Sequence, residues 1–317
     1  MASWTSDDPI RLVTLIPPVT EEDLALVADD TEMVQFQGGV PEAWVLERLE
    51  PAFAARPATR LRVLGARDGL EHLALVPGVR HVALEGQDGL PSLDGLRHLP
   101  PELESLTLHA SDSSSLSIAP LTRFERLREL SLTRVGGDLD ALGELLGLET
   151  LLLRSVRLED CTPLGRLPRL RRFELRLGGT ASLRGIEGAP LEYLEIWQVR
   201  GLGDLVPIAG LRTLRVLFLQ SLRQVTALPD LSATALEHAW LENMKGLVDF
   251  RGLAAAPALQ ELHLYDMRHV RWEHLSCFEG HPRLAEGIVH TGSARRDAEL
   301  TERLGLRRPP RRPWPPS

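Results

Sequence analysis

Apolar residues recur along the chain in the spacing apolar-x-x-apolar-x-apolar. The pattern opens at Val79/Val82/Leu84 and continues at Leu103/Leu106/Leu108, Leu127/Leu130/Leu132, Leu148/Leu151/Leu153 and Leu170/Phe173/Leu175. It runs on through Leu191/Leu194/Ile196, Leu214/Leu217/Leu219, Leu236/Ala239/Leu241 and Leu259/Leu262/Leu264, each copy starting 21–24 residues after the last. Weaker copies precede these at Ile10/Val13/Leu15, Val34/Phe36 and Leu61/Leu64/Ala66. A fixed period of this length predicts one short strand per repeat, with the first, fourth and sixth positions turned inward. A lone repeat cannot bury those positions, so neighbours must stack, their strands parallel and about 4.8 Å apart. Between strands, Pro163, Pro168, Pro190, Pro207, Pro229 and Pro257 limit the chain to short helical turns or irregular segments.

An open stack exposes its core at both ends and needs caps. Thr20 and Asp23 predict a helix start running to Ala28. Pro41–Ala55, carrying Trp44, Leu46, Leu49 and Phe53, predicts a longer amphipathic helix. Gly287–His290 is expected as a last strand, followed by a helix from Ser293 to Leu304 that stops at Gly305. The expected organisation is an N-terminal βα cap with degenerate repeats (1–60), a repeat solenoid (61–283), a strand–helix cap (284–306) and a disordered, polyproline-like tail (307–317).

The copy Leu148–Arg169, LETLLLRSVRLEDCTPLGRLPR, resembles the leucine-rich repeat family and its 22-residue internalin-type subclass, including Asp160, Pro163-Leu164 and Leu167. The resemblance covers about three quarters of the chain. It implies an α/β right-handed solenoid with a concave parallel sheet, and a protein or peptide partner held on that concave face. One feature departs from the family, whose ninth position is usually an Asn bonding the turn backbone. Here that position is Val135, Val156, Gly178, Val199, Leu222, Met244 and Met267, so apolar packing is expected to hold the turn.

Composition narrows the chemistry. Leu fills 62 of 317 positions against only two Tyr, which suits a uniform aliphatic core. The formal charge is −8, and the four Arg of the tail leave the remaining body near −12. A body that acidic repels phosphate backbones, which argues against a nucleic-acid partner. A single Lys, Lys245, among 36 basic residues is read as bacterial genome bias. Two cysteines offer no disulfide framework, the first ten residues show no secretory pattern, and no apolar run reaches membrane-spanning length. A cytoplasmic protein with no membrane partner is therefore expected. His269, His274, Cys277 and His281 are zinc-type ligands without the usual paired spacing, and are read as surface or packing residues. Gly38-Gly39, Gly136-Gly137 and Gly178-Gly179 lack a phosphate-loop context and are read as turns. No metal, cofactor or catalytic set is assigned.

The third, fifth and seventh positions of each strand face away from the core, because side chains alternate along a strand. In the five copies from Val79 these fifteen positions hold no aromatic residue. In the next four copies they are Tyr193, Glu195, Trp197, Val216, Phe218, Gln220, His238, Trp240, Glu242, Glu261, His263 and Tyr265. Five of these twelve are aromatic, in a chain with fifteen aromatics. Grouped aromatics rimmed by charge mark binding surfaces. The expected binding residues are Tyr193, Glu195, Trp197, Phe218, His238, Trp240, Glu242, Glu261, His263 and Tyr265. A toxin, a signalling protein and a precursor peptide all fit as partner. Glu195, Glu242 and Glu261 are expected to meet basic partner residues, and Arg154, Arg172 and Arg176 acidic ones. Two other readings stand beside this one: an enzyme working through the His/Glu residues, and a scaffold without a discrete site.

Overall fold

The computed structural model describes residues 10–66, 70–86 and 93–310, and the chain forms two compact units, 1–149 and 150–317. In the first unit the strands are β1 (Leu12–Leu15), β2 (Met33–Gln37), β3 (Arg60–Leu64), β4 (His81–Glu85), β5 (Ser105–Ser117) and β6 (Glu129–Gly137). Each pairs in parallel with the next. In the second unit they are β7 (Thr150–Arg154), β8 (Arg172–Arg176), β9 (Tyr193–Trp197), β10 (Val216–Gln220), β11 (His238–Glu242), β12 (Glu261–Tyr265) and β13 (Glu286–Val289). These too pair in parallel in chain order.

In the second unit the pairing aligns equivalent repeat positions. Leu151, Phe173, Leu194, Leu217, Ala239 and Leu262 form one inward row, and Leu153, Leu175, Ile196, Leu219, Leu241 and Leu264 the other. Every member of both rows is fully buried. The segments between strands are irregular or hold short helical turns, 3-10 at Leu164–Arg166 after Pro163 and Val206–Gly210 around Pro207 and α at Arg251–Ala254 and Trp272–Leu275, in keeping with the prolines.

The way out of each strand follows a rule that the sequence does not announce. The eighth position takes a left-handed backbone in copy after copy: Arg134, Ser155, Leu177, Gln198, Ser221, Asn243 and Asp266 all have φ between 50° and 59°. None is glycine, so each carries the steric cost of that conformation. This bend turns the chain off the sheet and drops the ninth side chain inside. Val135, Val156, Val199, Leu222, Met244 and Met267 are all buried there. Apolar packing therefore holds the turn, as expected. In one copy the position is Gly178, where an added Cβ would lie 2.4 Å from the Val156 carbonyl oxygen.

Three local expectations need correction. The copy placed at Leu61/Leu64/Ala66 is shifted: Leu61 and Val63 pair with Val82 and Leu84 and are buried. They are therefore the fourth and sixth positions, while Leu64 faces outward and buried Ala66 is the ninth. The helix begun by Thr20, whose hydroxyl and backbone both bond Asp23, is a single turn, Glu21–Leu24. It ends early because only Leu24 is buried, whereas Leu26 is 60% exposed, leaving no apolar stripe to extend. The helix Ala43–Ala55 buries Val45, Leu46, Leu49 and Phe53, but Trp44 lies off that stripe and is 41% exposed.

At the other end β13 starts one residue before the expected strand, and the helix spans Ala294–Arg303. Gly287 sits so close to β12 that a Cβ would lie 2.2 Å from the Leu262 carbonyl oxygen. Beyond the helix the chain returns to the sheet edge: Arg307 pairs in parallel with Glu286 and exchanges backbone hydrogen bonds with Ala285 and Gly287. The rest of the expected tail, from residue 311 on, lies outside the described residues, as do residues 87–92.

Candidate concave binding site

All ten expected site residues lie on β9–β12 of the second unit, and the register sorts them into three rows. Tyr193, Val216, His238 and Glu261 are neighbours across the sheet, as are Glu195, Phe218, Trp240 and His263, and then Trp197, Gln220, Glu242 and Tyr265. Strands held about 4.8 Å apart bring aromatic rings on adjacent positions into contact.

The rings form a continuous strip. Trp240 stacks on His263 at 4.8 Å and 5°, and on Tyr265 at 4.7 Å and 13°. Phe218 extends the strip on one side, 6.0 Å from Trp240. His290, which the sequence reading did not single out, extends it on the other, 6.2 Å from Tyr265. Stacked pairs of this kind stabilise beyond the area they bury. The strip is thus partly a product of sheet packing, yet Phe218, Trp240 and Tyr265 keep part of their surface toward solvent.

Beneath the strip Glu261 is only 2% exposed. One carboxylate oxygen lies 3.0 Å from His238 Nδ1 and the other 2.6 Å from His263 Nε2. A buried carboxylate needs such partners, and the geometry assigns the proton-bearing nitrogens as Nδ1 of His238 and Nε2 of His263. His263 is itself 4% exposed. Glu261 and His263 brace the Trp240 floor from within, while His238 keeps part of its surface accessible. Glu242 is half-buried and accepts from Gln220 Nε2 at 3.0 Å and Trp240 Nε1 at 3.4 Å.

The other half of the patch is an ion-paired network. Arg172 lies 3.8 Å over the Tyr193 ring, and the Tyr193 hydroxyl donates to Glu195 at 2.8 Å. Burial, with Glu195 beside it, pushes that phenol well above its ordinary pKa, so it stays a donor. Arg176 contacts Glu174 and Glu195 at 2.6 Å each, and Arg172 contacts Glu174 at 2.6 Å. Burial works against the Arg176 charge, but the two glutamates outweigh it and hold the guanidinium above its usual pKa. The expectation that Arg172 and Arg176 await acidic partner residues is therefore corrected, since the protein's own glutamates engage both. Glu195 and Tyr193 are buried within the same network. At the surface this half presents Trp197, with Arg154 6.0 Å and Arg176 5.9 Å from its ring.

The site thus separates residues that can touch a partner from residues that hold them in place. Trp197, Phe218, His238, Trp240, Glu242 and Tyr265 keep accessible surface, whereas Tyr193, Glu195, Glu261 and His263 are buried beneath or between them. Elsewhere the four zinc-type residues have other engagements. His269 contacts the Leu247 carbonyl, His281 the Ala256 carbonyl, His274 accepts from the Arg271 amide, and Cys277 Sγ lies 3.6 Å from the His274 carbonyl. Among the described residues no group of three or more His, Cys, Asp or Glu is placed to hold a metal ion. No described helix is long and apolar enough to cross a membrane.

No protein-family model and no curated protein matches the sequence. Solved structures do. An internalin from Listeria monocytogenes superposes with a TM-score of 0.57 at 19% identity, over 88% of this chain and 80% of that one. A second Listeria monocytogenes internalin gives 0.41 at 24% identity, over 61% and 74%. A leucine-rich repeat protein of Leptospira interrogans gives 0.41 at 13% identity, over 92% of both chains. The first of these likenesses, with the parallel strand order, identifies the fold as an α/β leucine-rich repeat solenoid of internalin type.

Proposed function

We propose that this leucine-rich repeat protein of internalin type is a non-catalytic binding protein that holds a protein or peptide partner on the concave face of β9–β12. The observation that carries this reading is the strip Phe218–Trp240–Tyr265, half-exposed and set on a His–Glu–His triplet whose Glu261 and His263 are buried. Sheet packing alone accounts for rings that stack. It does not account for their absence from the concave positions of the five preceding copies, which hold residues such as His81, Ser105, Thr107, Ser131 and Thr133.

Trp197, Phe218, Trp240 and Tyr265 are the anchors, since large rings fixed by their neighbours lose little entropy on binding. Glu242 at the rim favours a basic residue in the partner. Glu261 has little part in direct contact, because both of its oxygens are engaged from within and a carboxylate so enclosed acts by holding His238 and His263. The test is a parallel pull-down with the wild-type chain and a Trp197→Ala/Trp240→Ala chain as bait. A partner retained by the first and lost from the second, with both baits folded, supports the reading. A partner held equally by both contradicts it.

A further inference from the structure

The proposed concave site leaves open what kind of segment fits it, and the C-terminal end of this chain bears on that question. After the helix Ala294–Arg303 the chain does not leave the molecule: Leu306 is buried, and Arg307 pairs in parallel with Glu286 at the edge of β13. Glu286 is the register neighbour of Glu261, so the chain re-enters at the third-position row of the concave face. Arg308 lies close enough to Tyr265 for its charge to act on the phenol, pulling it down against the burial that pushes it up. The last described residues, Pro309 and Pro310, thus follow directly on a residue whose charge reaches Tyr265 of the aromatic strip.

From Arg307 the sequence reads RRPPRRPWPPS. Polyproline segments are extended at about 3.1 Å per residue and preordered, and they dock in aromatic-lined grooves. The seven steps from Arg307 to Trp314 span about 22 Å in that form. Three strand spacings, from the position beside β13 to β11, are about 14 Å, so Trp314 can reach the ring of Trp240. Along such a path the partly exposed carboxylates of Glu286 and Glu242 would meet Arg311 and Arg312, whereas Glu261 is enclosed beneath the strip. The segment carries four Arg, and the body they leave is the more acidic part of the chain, so charge favours their association.

We propose that the concave strip of β10–β12 is a receptor for an Arg/Pro-rich polyproline segment carrying an aromatic anchor, and that residues 309–317 of this chain are its resident occupant. The proposal rests on the concave-face reading and names the class of partner. An external partner then has to displace the segment, so its apparent affinity is reduced by the fraction of molecules in which the site is filled. A tethered segment acts at a local concentration of about millimolar, enough to outcompete a free copy of itself at micromolar level.

The experiment uses the full-length chain and a fluorescein-labelled synthetic peptide of residues 307–317, read by fluorescence anisotropy. Full-length Arg311→Glu/Trp314→Ala chain should bind the peptide at least tenfold more tightly than the wild type, whose own segment competes. Adding Trp240→Ala to the double variant should abolish the binding, and adding Glu242→Lys instead should weaken it severalfold while leaving the core rows untouched. Equal binding to the wild type and the double variant, binding to neither, or binding that survives both Trp240→Ala and Glu242→Lys would each overturn the inference. None of those results decides the concave-face reading, because that is tested by a separate partner's dependence on Trp197 and Trp240.

Discussion

Replacing Met244 by Asn puts into this chain the residue that leucine-rich repeats usually carry at the ninth position, and it should damage the protein. Met244 is completely buried, and its amide lies 3.4 Å from the Met267 sulfur in the next repeat. The left-handed residue before it, Asn243, already bends the chain and bonds Ser221 through its side chain at 2.9 Å. Withdrawing a buried Met side chain costs about 1.5–3 kcal/mol of apolar burial. Enclosing an amide among Leu222, Leu247 and Met267 without matched partners adds about 1–3 kcal/mol. The expected loss is therefore about 2.5–6 kcal/mol, while Met244→Leu, which nearly conserves volume, should lose under about 1.5 kcal/mol. Urea denaturation of the three chains, followed by far-UV circular dichroism, measures the difference. A Met244→Asn chain within about 1 kcal/mol of the wild type would show that the turn accepts a polar ladder, and the account of apolar packing there would fail.

Other expectations follow from single residues. Asp160 is held at a pKa of about 2, chiefly by its hydrogen bond from Arg184, with the Thr162 amide adding to it. A carboxyl depressed in the folded state contributes stability that is present above its unfolded pKa near 4 and lost as pH falls toward 2. Asp160→Asn should therefore lower stability at pH 7 while flattening its decline between pH 4 and 2, as seen in melting temperatures across that range. Burial pushes the Cys161 thiol up to about 12, whereas Cys277 is only half-buried. In the native protein at pH 8, iodoacetamide should modify Cys277 first and reach Cys161 only on unfolding, which peptide mass spectrometry resolves. Leu217→Ala, in a fully buried central copy, should cost about 2–5 kcal/mol in the same urea assay.

Much of this molecule is legible in the order of its residues. The apolar spacing from Leu148 to Leu264 places every strand of the second unit through β12 and the inward rows that pair across them, because a strand whose fourth and sixth residues must be buried has one register. The same reasoning slips at Leu61/Leu64/Ala66, where the ninth-position Ala66 completes a false copy of the spacing and only strand alternation shows Leu61 and Val63 inside. The left-handed eighth position is hidden, since Ser155, Leu177 and Gln198 carry no common signal for positive φ. Concave positions can be read from alternation, but not which of them stay exposed. Tyr193, Glu195 and His263 are buried by long side chains that reach sideways, Arg172 and Arg176 on one flank and Trp240 on the other. Those contacts depend on rotamers that a pattern of positions does not specify. Neither does the pattern place Arg307 beside Glu286, which is a pairing between segments with no repeat relationship.

The most direct test of the central claim is the affinity of a purified partner for Trp240→Ala set against Ser105→Ala and Thr133→Ala. All three alternate away from the inward rows: Trp240, the fifth position of its copy, belongs to the aromatic strip, whereas Ser105, a third position and 3% exposed, and Thr133, a seventh, belong to the first unit. Loss of a central Trp anchor commonly costs about 2 kcal/mol or more. Trp240→Ala should then weaken binding at least tenfold with a melting temperature close to that of the wild type, and the other two should leave binding unchanged. Equal affinities for all three chains would mean that the aromatic strip serves the sheet alone and that the partner binds elsewhere.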